Sequence, residues 1–289
     1  MLVCGFTIVR NAVRYRYPVV ESIQSALPLC DHFVVAVGHS DDGTLDLIKS
    51  INSPKISIIE TVWDMSIREG GRILAVETNK AFDAIATGYD WCFYLQADEV
   101  VHENDYSAVS EAMLKWKDNP RVEGLLFKYL HFWGTYNYIG ANRQWYRHEI
   151  RIVRNKKNIR SYRDAQGFRC DGKKLKVKLV DAHIYHYGWV RPPEVMVDKI
   201  INFSALYHND EQLKITADEL SKFSYDQVDA VKRFNGTHPM HMQHRIKNTS
   251  WNVDINENEI NMRFKDKLLY DFEKYFGYRL FEYKNYTLI

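Results

Sequence analysis

The chain has 289 residues, 46% hydrophobic and 14% aromatic, enough to bury a core in one large domain or in one domain with a tail. Its formal net charge is +2, so charge alone points neither to nucleic acid nor to an anionic membrane. No apolar run approaches the roughly 18 residues of a spanning helix. The opening "MLVCGFTIVRNAVRYRYP" lacks a basic leader and a small-residue cleavage site, so it reads as a first strand rather than a signal peptide. Cys4, Cys30, Cys92 and Cys170 are scattered, without C-x-x-C spacing. They read as reduced thiols of a cytoplasmic protein.

In chain order, "LVCGFTIV" (2–9) is a near-continuous apolar run, as in a strand covered on both faces. Pro18 suits a first helical turn, with Val19, Ile23 and Ala26/Leu27 as its stripe. "FVVAV" (33–37) is a second strand and "GHSDDGT" (38–44) a polar loop, after which Thr44 caps a helix carrying Leu45, Ile48 and Ile51. "ISIIE" (56–60) is a third strand. "REGGR" (68–72) precedes a helix from about Ile73 to Ala86, and "WCFYL" (91–95) is a fourth strand. Alternating strands and helices predict right-handed βαβ units in a mostly parallel sheet. The loops at 38–44, 68–72 and 96–99 then converge beyond the strands' carboxyl ends, where such sheets bind ligands.

After about residue 120 the pattern changes. "VEGLLFKYLHFWGTYNYIG", "EIRIVRN" and "KVKLVDAHIYHYGWV" read as strands, the second as an antiparallel one. Pro192-Pro193 starts a helix with Met196, Ile200, Phe203 and Leu206 on one side, and another helix is expected near Asn258–Phe276. The expected organisation is 1–190 as one mixed-sheet domain, in halves 1–100 and 101–190, with 191–289 a mostly helical extension.

Candidate functional residues each have a plainer alternative. Asp98 and Glu99, at the end of a buried strand, suit a hard cation; alternatively they are a solvated turn. Asp41 and Asp42 can accept from a base or ribose, or form an Asx turn and cap. Gly70, Gly71 and Arg72 offer backbone N–H groups and a guanidinium to a diphosphate, or simply a strand-to-helix turn. His183 and His186 fall on opposite faces of a regular strand, which leaves His186 as the better ligand. Arg143 to Lys178 is predominantly basic: either a phosphate-attracting surface or the solvated face of antiparallel strands. Within it, Asp164 stays ionised if Arg160, Arg163 and Arg169 point toward it, and an ionised carboxylate in a cleft can act as a base.

The order of these motifs resembles the family-2 glycosyltransferases, over roughly residues 2–190. The resemblance implies the GT-A fold, an α/β fold with a mixed central sheet and helices on both faces. Arg10, Asn11, Ser40 and Asp42 match the family's nucleotide-holding positions. Gly71, Arg72 and Asn79 match its Gly-Lys/Arg loop and following Asn. Gln96-Ala97-Asp98 matches its Asp-x-Asp motif, with Gln96 on the donor. The implied divalent cation, Mn²⁺ or Mg²⁺, falls to Asp98 and His186, with Glu99 as a further ligand. Gln96 replaces one acid of Asp-x-Asp, and Val37-Gly38 replaces the first acids of Asp-Asp-Gly-Ser. Both replacements bear on metal affinity and on the nucleotide used. "HYGWVRPPEVM" and "GTHPMHM" resemble a bacterial-type subgroup acting on surface polysaccharides or glycans.

The implied activity is metal-dependent, inverting transfer of a hexosyl or pentosyl group from a nucleotide diphosphate sugar to a glycan hydroxyl. Asp164 is the expected base, with Glu149 the second choice. Aromatics at 131–138, Trp145 and Trp189 either stack on sugars or pack in the core. Partners are the donor and a saccharide acceptor, not nucleic acid or a membrane span. The alternatives are a metal-dependent phosphoesterase or nuclease, and a non-catalytic nucleotide-sugar-binding protein.

Overall fold

The computed structural model describes residues 1–208, 223–257 and 261–289. The chain opens with β1 (Val3–Val9), α1 (Val19–Ala26), β2 (His32–Gly38), α2 (Thr44–Lys49), β3 (Ile56–Thr61), α3 (Arg72–Asp83) and β4 (Trp91–Tyr94). These four strands are parallel: β1 lies between β2 and β4, and β3 flanks β2. Side chains alternate between two cores. Val3, Val9, Phe33, Val35, Trp91 and Phe93 pack with Val19, Ile23 and Ile48 of α1 and α2. Cys4, Phe6, Val34, Ala36, Cys92 and Tyr94 pack with Ile73 and Phe82 of α3. With both faces buried, β1, β2 and β4 are almost wholly apolar, whereas the edge strand β3 is not; each fully buried Val or Phe contributes about 1.5–3 kcal/mol.

The chain continues through β5 (Glu99–Val101), α4 (Tyr106–Trp116), β6 (Gly124–Gly134), β7 (Tyr138–Gly140), β8 (His148–Arg154), β9 (Ile159–Tyr162), β10 (Gly167–Cys170), β11 (Lys173–Lys174) and β12 (Lys176–Val190). It ends with α5 (Pro193–Ser204), β13 (Val231–Arg233), α6 (Gln243–Lys247), α7 (Phe264–Phe276) and β14 (Thr287–Leu288). The main sheet runs β13-β7-β6-β8-β4-β1-β2-β3. β8 pairs antiparallel with both β4 and β6, which makes the sheet mixed. β12 leaves this path, running parallel to β6 and antiparallel to β5. This is a mixed α/β fold with α1 and α2 on one face of the sheet and α3 on the other, the arrangement expected of the GT-A fold.

Helix α4 is an addition to the elements read from the sequence. Val109 and Met113 bury its inner face, and the Trp91 indole N–H donates to Met113 O at 3.0 Å. At its end, Arg154 donates to the carbonyl of Trp116, the last helical residue, and to those of Asn119 and Val122 in the turns that follow, tying β8 to this segment. The expected helix near Asn258–Phe276 is α7; residues 258–260 lie outside the described residues. No described helix is long and apolar enough to cross a membrane.

Candidate active site

The site begins at the turn Gln96-Ala97-Asp98-Glu99, which reverses the chain from β4 into β5 and is closed by Glu99 N–H to Gln96 O at 3.0 Å. Its two acids part company. Glu99 faces inward: Arg151 Nε and Nη2 each lie 2.7 Å from its carboxylate, and neither side chain is exposed. The Tyr129 hydroxyl and the Gln96 N–H complete its partners at 2.8 and 3.0 Å. Glu99 is therefore not a metal ligand, because its oxygens are committed to the core. The same arginine donates to Gln166 O at 2.9 Å.

Asp98 faces a cleft. The antiparallel register pairs His186 with Glu99, and Tyr187 N–H reaches Asp98 O at 2.8 Å, which sets His186 beside the Asp98 side chain. His186 Nε2 is 3.6 Å from Asp98 Oδ1, and Lys199 Nζ is 3.5 Å from Oδ2. Gly188 makes this approach possible, since a Cβ there would lie 2.5 Å from His186 Nε2 and 3.0 Å from Asp98 Oδ2. Lys199 also donates to Gly188 O at 2.9 Å. Burial alone would raise the Asp98 carboxyl; His186, Lys199 and Arg191 outweigh it and hold it below its ordinary value. Burial first, then Arg191, pulls the Lys199 ammonium down to about 7, with Asp98 opposing.

His131, not singled out in the sequence, orients His186. It lies opposite His186 in the β6–β12 register. Its Nε2–H donates to Tyr146 O at 2.9 Å, which leaves Nδ1 of the neutral ring to accept from His186 Nδ1–H at 3.0 Å. Burial keeps both imidazoles below their ordinary pKa. In the neutral form, His186 Nε2 then turns its lone pair toward Asp98, and two acceptors face each other across a place for a cation. The expected Mn²⁺ or Mg²⁺ does not fit the donor set there. Gln96 is uncharged, Glu99 is bound to Arg151, and Lys199 already sits on Asp98. Among the described residues, no cluster of three or more His, Cys, Asp or Glu side chains converges to hold a metal. A dication at Asp98 would also face Lys199 and Arg191, at roughly 4 kcal/mol per unit-charge pair 4 Å apart in an effective dielectric of 20.

Asp164 sits in the four-residue turn between β9 and β10, flanked by Arg163 and Ala165 at φ 55° and 60°. The expected arginine cage is absent. Arg160 pairs with Asp83, Arg169 donates to Phe168 O and Asn285 O, and Arg163 donates to the Tyr162 hydroxyl. The Asp164 carboxylate instead meets the Tyr207 hydroxyl at 3.5 Å. Asp164 lies where cavities join. On one side is a cleft of about 310 Å³ containing Asp98, His186, Lys199 and Trp189, continuous with a smaller recess beside Arg10 and Trp63. On the other is a groove of about 340 Å³ walled by Trp145, Tyr162, Phe281 and Tyr283.

Glu149 borders only the groove. Burial raises its carboxyl to about 7, against Arg151, the Ile150 N–H and Asn285, which favour the charged form. The folded chain therefore holds a proton between pH 4.5 and 7 that the unfolded chain releases, and stability falls as pH rises through that window. Glu149→Gln should remove this loss. Urea unfolding is expected to show a gain of up to about 3 kcal/mol at pH 8 and none at pH 4; equal effects at both pH values would contradict a neutral buried Glu149.

The residues matched to nucleotide binding divide. Arg10 and Gln96 border the recess, with the Arg10 guanidinium 5.7 Å from the Trp63 ring centre. Gly38, where the family pattern has an acid, makes room for Trp63: a Cβ there would lie 2.4 Å from the indole nitrogen. Ser40 and Asp42 are occupied within the loop. Ser40 Oγ donates to Gly38 O and accepts from Asn11 N–H. Asp42 accepts from the N–H groups of Arg14 and Thr44 and from the Thr44 hydroxyl. The Asx turn is present, but Thr44 is not the cap: it is the first residue of α2, the N-cap is Gly43 at φ 83°, and no side chain caps this helix.

The Gly71 and Arg72 N–H groups are also taken, by Leu206 O and Glu69 O. Gly71, at φ 71°, packs so closely that a Cβ would lie 2.6 Å from Tyr207 and 2.9 Å from Asp164 Cβ. Arg72 is exposed. Asn79 bonds the backbone of Ser161 in both directions, tying α3 to β9, and with Gly70 and Arg72 it borders a further cavity that Asp164 also lines. The basic segment is a solvated face at its lysines, since Lys156, Lys157, Lys173, Lys174 and Lys176 are exposed, but not at most of its arginines. Arg143 and Arg147 pair with Glu273 and Glu282 of the C-terminal segment, and Arg151 and Arg154 are buried.

No protein-family model matches the chain, and no curated protein matches it. Among solved structures, residues 1–349 of TarS from S. aureus are similar over 76% of this chain and 71% of that one, at 12% identity and a TM-score of 0.39. The same portion in complex with UDP gives a TM-score of 0.40. Glucosyl-3-phosphoglycerate synthase from Mycobacterium tuberculosis, in complex with Mn²⁺, UDP and phosphoglyceric acid, is similar over 45% of this chain and 43% of that one, at 15% identity and a TM-score of 0.31.

Proposed function

We propose that the chain is an inverting glycosyltransferase that moves a sugar from a nucleotide diphosphate sugar to a hydroxyl of a saccharide acceptor. The observation that carries this reading is the position of Asp164 between the cleft containing Asp98 and Lys199 and the aromatic-walled groove. The donor's diphosphate lies on the Asp98 side, its nucleoside toward Arg10 and Trp63, and the acceptor in the groove. The acceptor oxygen attacks the anomeric carbon and gives its proton to an Asp164 oxygen. The bond from that carbon to the diphosphate breaks, and the nucleoside diphosphate leaves with the electron pair. Aromatic faces at Trp145, Tyr162 and Tyr283 suit stacking on pyranose rings. No step is routed through a metal. The four free cysteines support a reducing, cytoplasmic setting.

The nuclease alternative loses Glu99, which is committed to Arg151, and keeps only the exposed lysines of the basic segment. Uridine, guanosine and deoxythymidine diphosphate sugars, each at a hundred times its dissociation constant, distinguish the remaining two. One of them is expected to stabilise the chain by about 2.7 kcal/mol and to release its nucleoside diphosphate slowly. Stabilisation without release favours the non-catalytic reading; neither response removes both.

A further inference from the structure

We infer that Lys199, with Arg191 behind it, holds the donor's diphosphate in the role expected of a divalent metal. The inference rests on the glycosyl-transfer reading and adds to it the source of the positive charge. Lys199 projects from α5 into the cleft against Asp98, where the motif at the end of β4 leads one to expect the metal. Its position is built. The ammonium is anchored on Gly188 O at 2.9 Å and sits 5.0 Å from the Tyr17 ring centre and 5.8 Å from that of Phe203. These aromatic faces favour a cation and leave few hydrogen-bond acceptors to compete with an arriving anion.

Arg191 makes the second, independent observation. It is fully buried, and none of its three guanidinium nitrogens has a hydrogen-bond partner among the described residues. It shares the Tyr17 ring with Lys199, 5.0 Å from its centre. A buried, unpartnered guanidinium is strongly unfavourable unless an anion offsets it. Asp98 offsets only one of these two cations, and Glu99 is neutralised by Arg151. The cleft is thus short of negative charge, as a diphosphate site should be and a dication site should not. The replacement of an acid by Gln96 fits the same balance, because a second carboxylate beside Lys199 would cancel the excess charge.

Thermal unfolding in inorganic pyrophosphate, UDP, GDP and dTDP, each with EDTA and with Mn²⁺, tests this directly. At least one of these anions is expected to raise the melting temperature equally in EDTA and in Mn²⁺. Lys199→Met is expected to weaken that ligand's binding at least tenfold, and Lys199→Arg to restore most of it. Stabilisation that requires Mn²⁺ and survives Lys199→Met would overturn the inference while leaving the transferase reading intact. Stabilisation by none of the four in either medium would remove both. The EDTA comparison on the unsubstituted protein decides the matter even if Lys199→Met does not fold.

Discussion

Replacing Asp164 with asparagine is expected to lower turnover by about 10²–10⁴-fold, the usual contribution of a positioned base, while leaving nucleotide binding nearly unchanged. Asparagine matches the carboxylate in size, so the turn between β9 and β10, its contact with Gly71 and the Tyr207 interaction can persist. The loss should fall on kcat. Turnover is read from nucleoside diphosphate release with acceptor present, and binding from the nucleotide-induced shift in melting temperature. Full activity in the variant would transfer the role of base to Glu149 or to another group. Loss of the thermal shift would mean that Asp164 holds the donor instead.

The second large effect is on stability. Glu99→Gln leaves the Arg151 charge buried without its counter-ion, and breaking such a pair from one side costs about 3–5 kcal/mol, a large share of the 5–15 kcal/mol that holds a domain folded. Urea denaturation of the single variant measures the loss. Substituting both partners with apolar residues, Glu99→Leu with Arg151→Met, should recover much of it, since the penalty lies in the orphaned charge. A Glu99→Gln protein as stable as its parent would contradict the structural role given to this carboxylate. A metal ligand would show the reverse pattern, with stability kept and donor binding lost.

The parallel half of the fold is legible in the sequence because β1, β2 and β4 are buried on both faces, so their apolar runs are uninterrupted and their ends sharp. Asp98 is legible for the same reason, as the first acid beyond such a run. The reach of Glu99 is not. Its partner Arg151 lies on β8, and antiparallel pairing of β8 with β4 brings them together without any local pattern. Lys199 and Arg191 are equally hidden, since they come to Asp98 only through the pairing of β12 with β5. His131 lies within an aromatic stretch where one more ring adds no periodic signal. Asp42 and Asn79 show the converse: their family-like spacing is real, but short hydrogen bonds to nearby backbone absorb both side chains. The arginines near Asp164 in sequence are drawn off by other partners, which no local pattern marks: Arg160 by Asp83, and Arg169 by the carbonyls of Phe168 and Asn285.

Arg151 has one more consequence. Its guanidinium joins Glu99, next to Asp98, to Gln166 O, in the turn that carries Asp164, so on the proposed reading the carboxylate beside the diphosphate and the expected base are yoked through a single rigid planar group. Such a yoke sets the span between the end of the site where a bond is made and the end where one breaks. A donor with an extra phosphate would carry its sugar past the proton acceptor, whereas saccharides that extend away from the attacking hydroxyl along the open groove meet no comparable ruler.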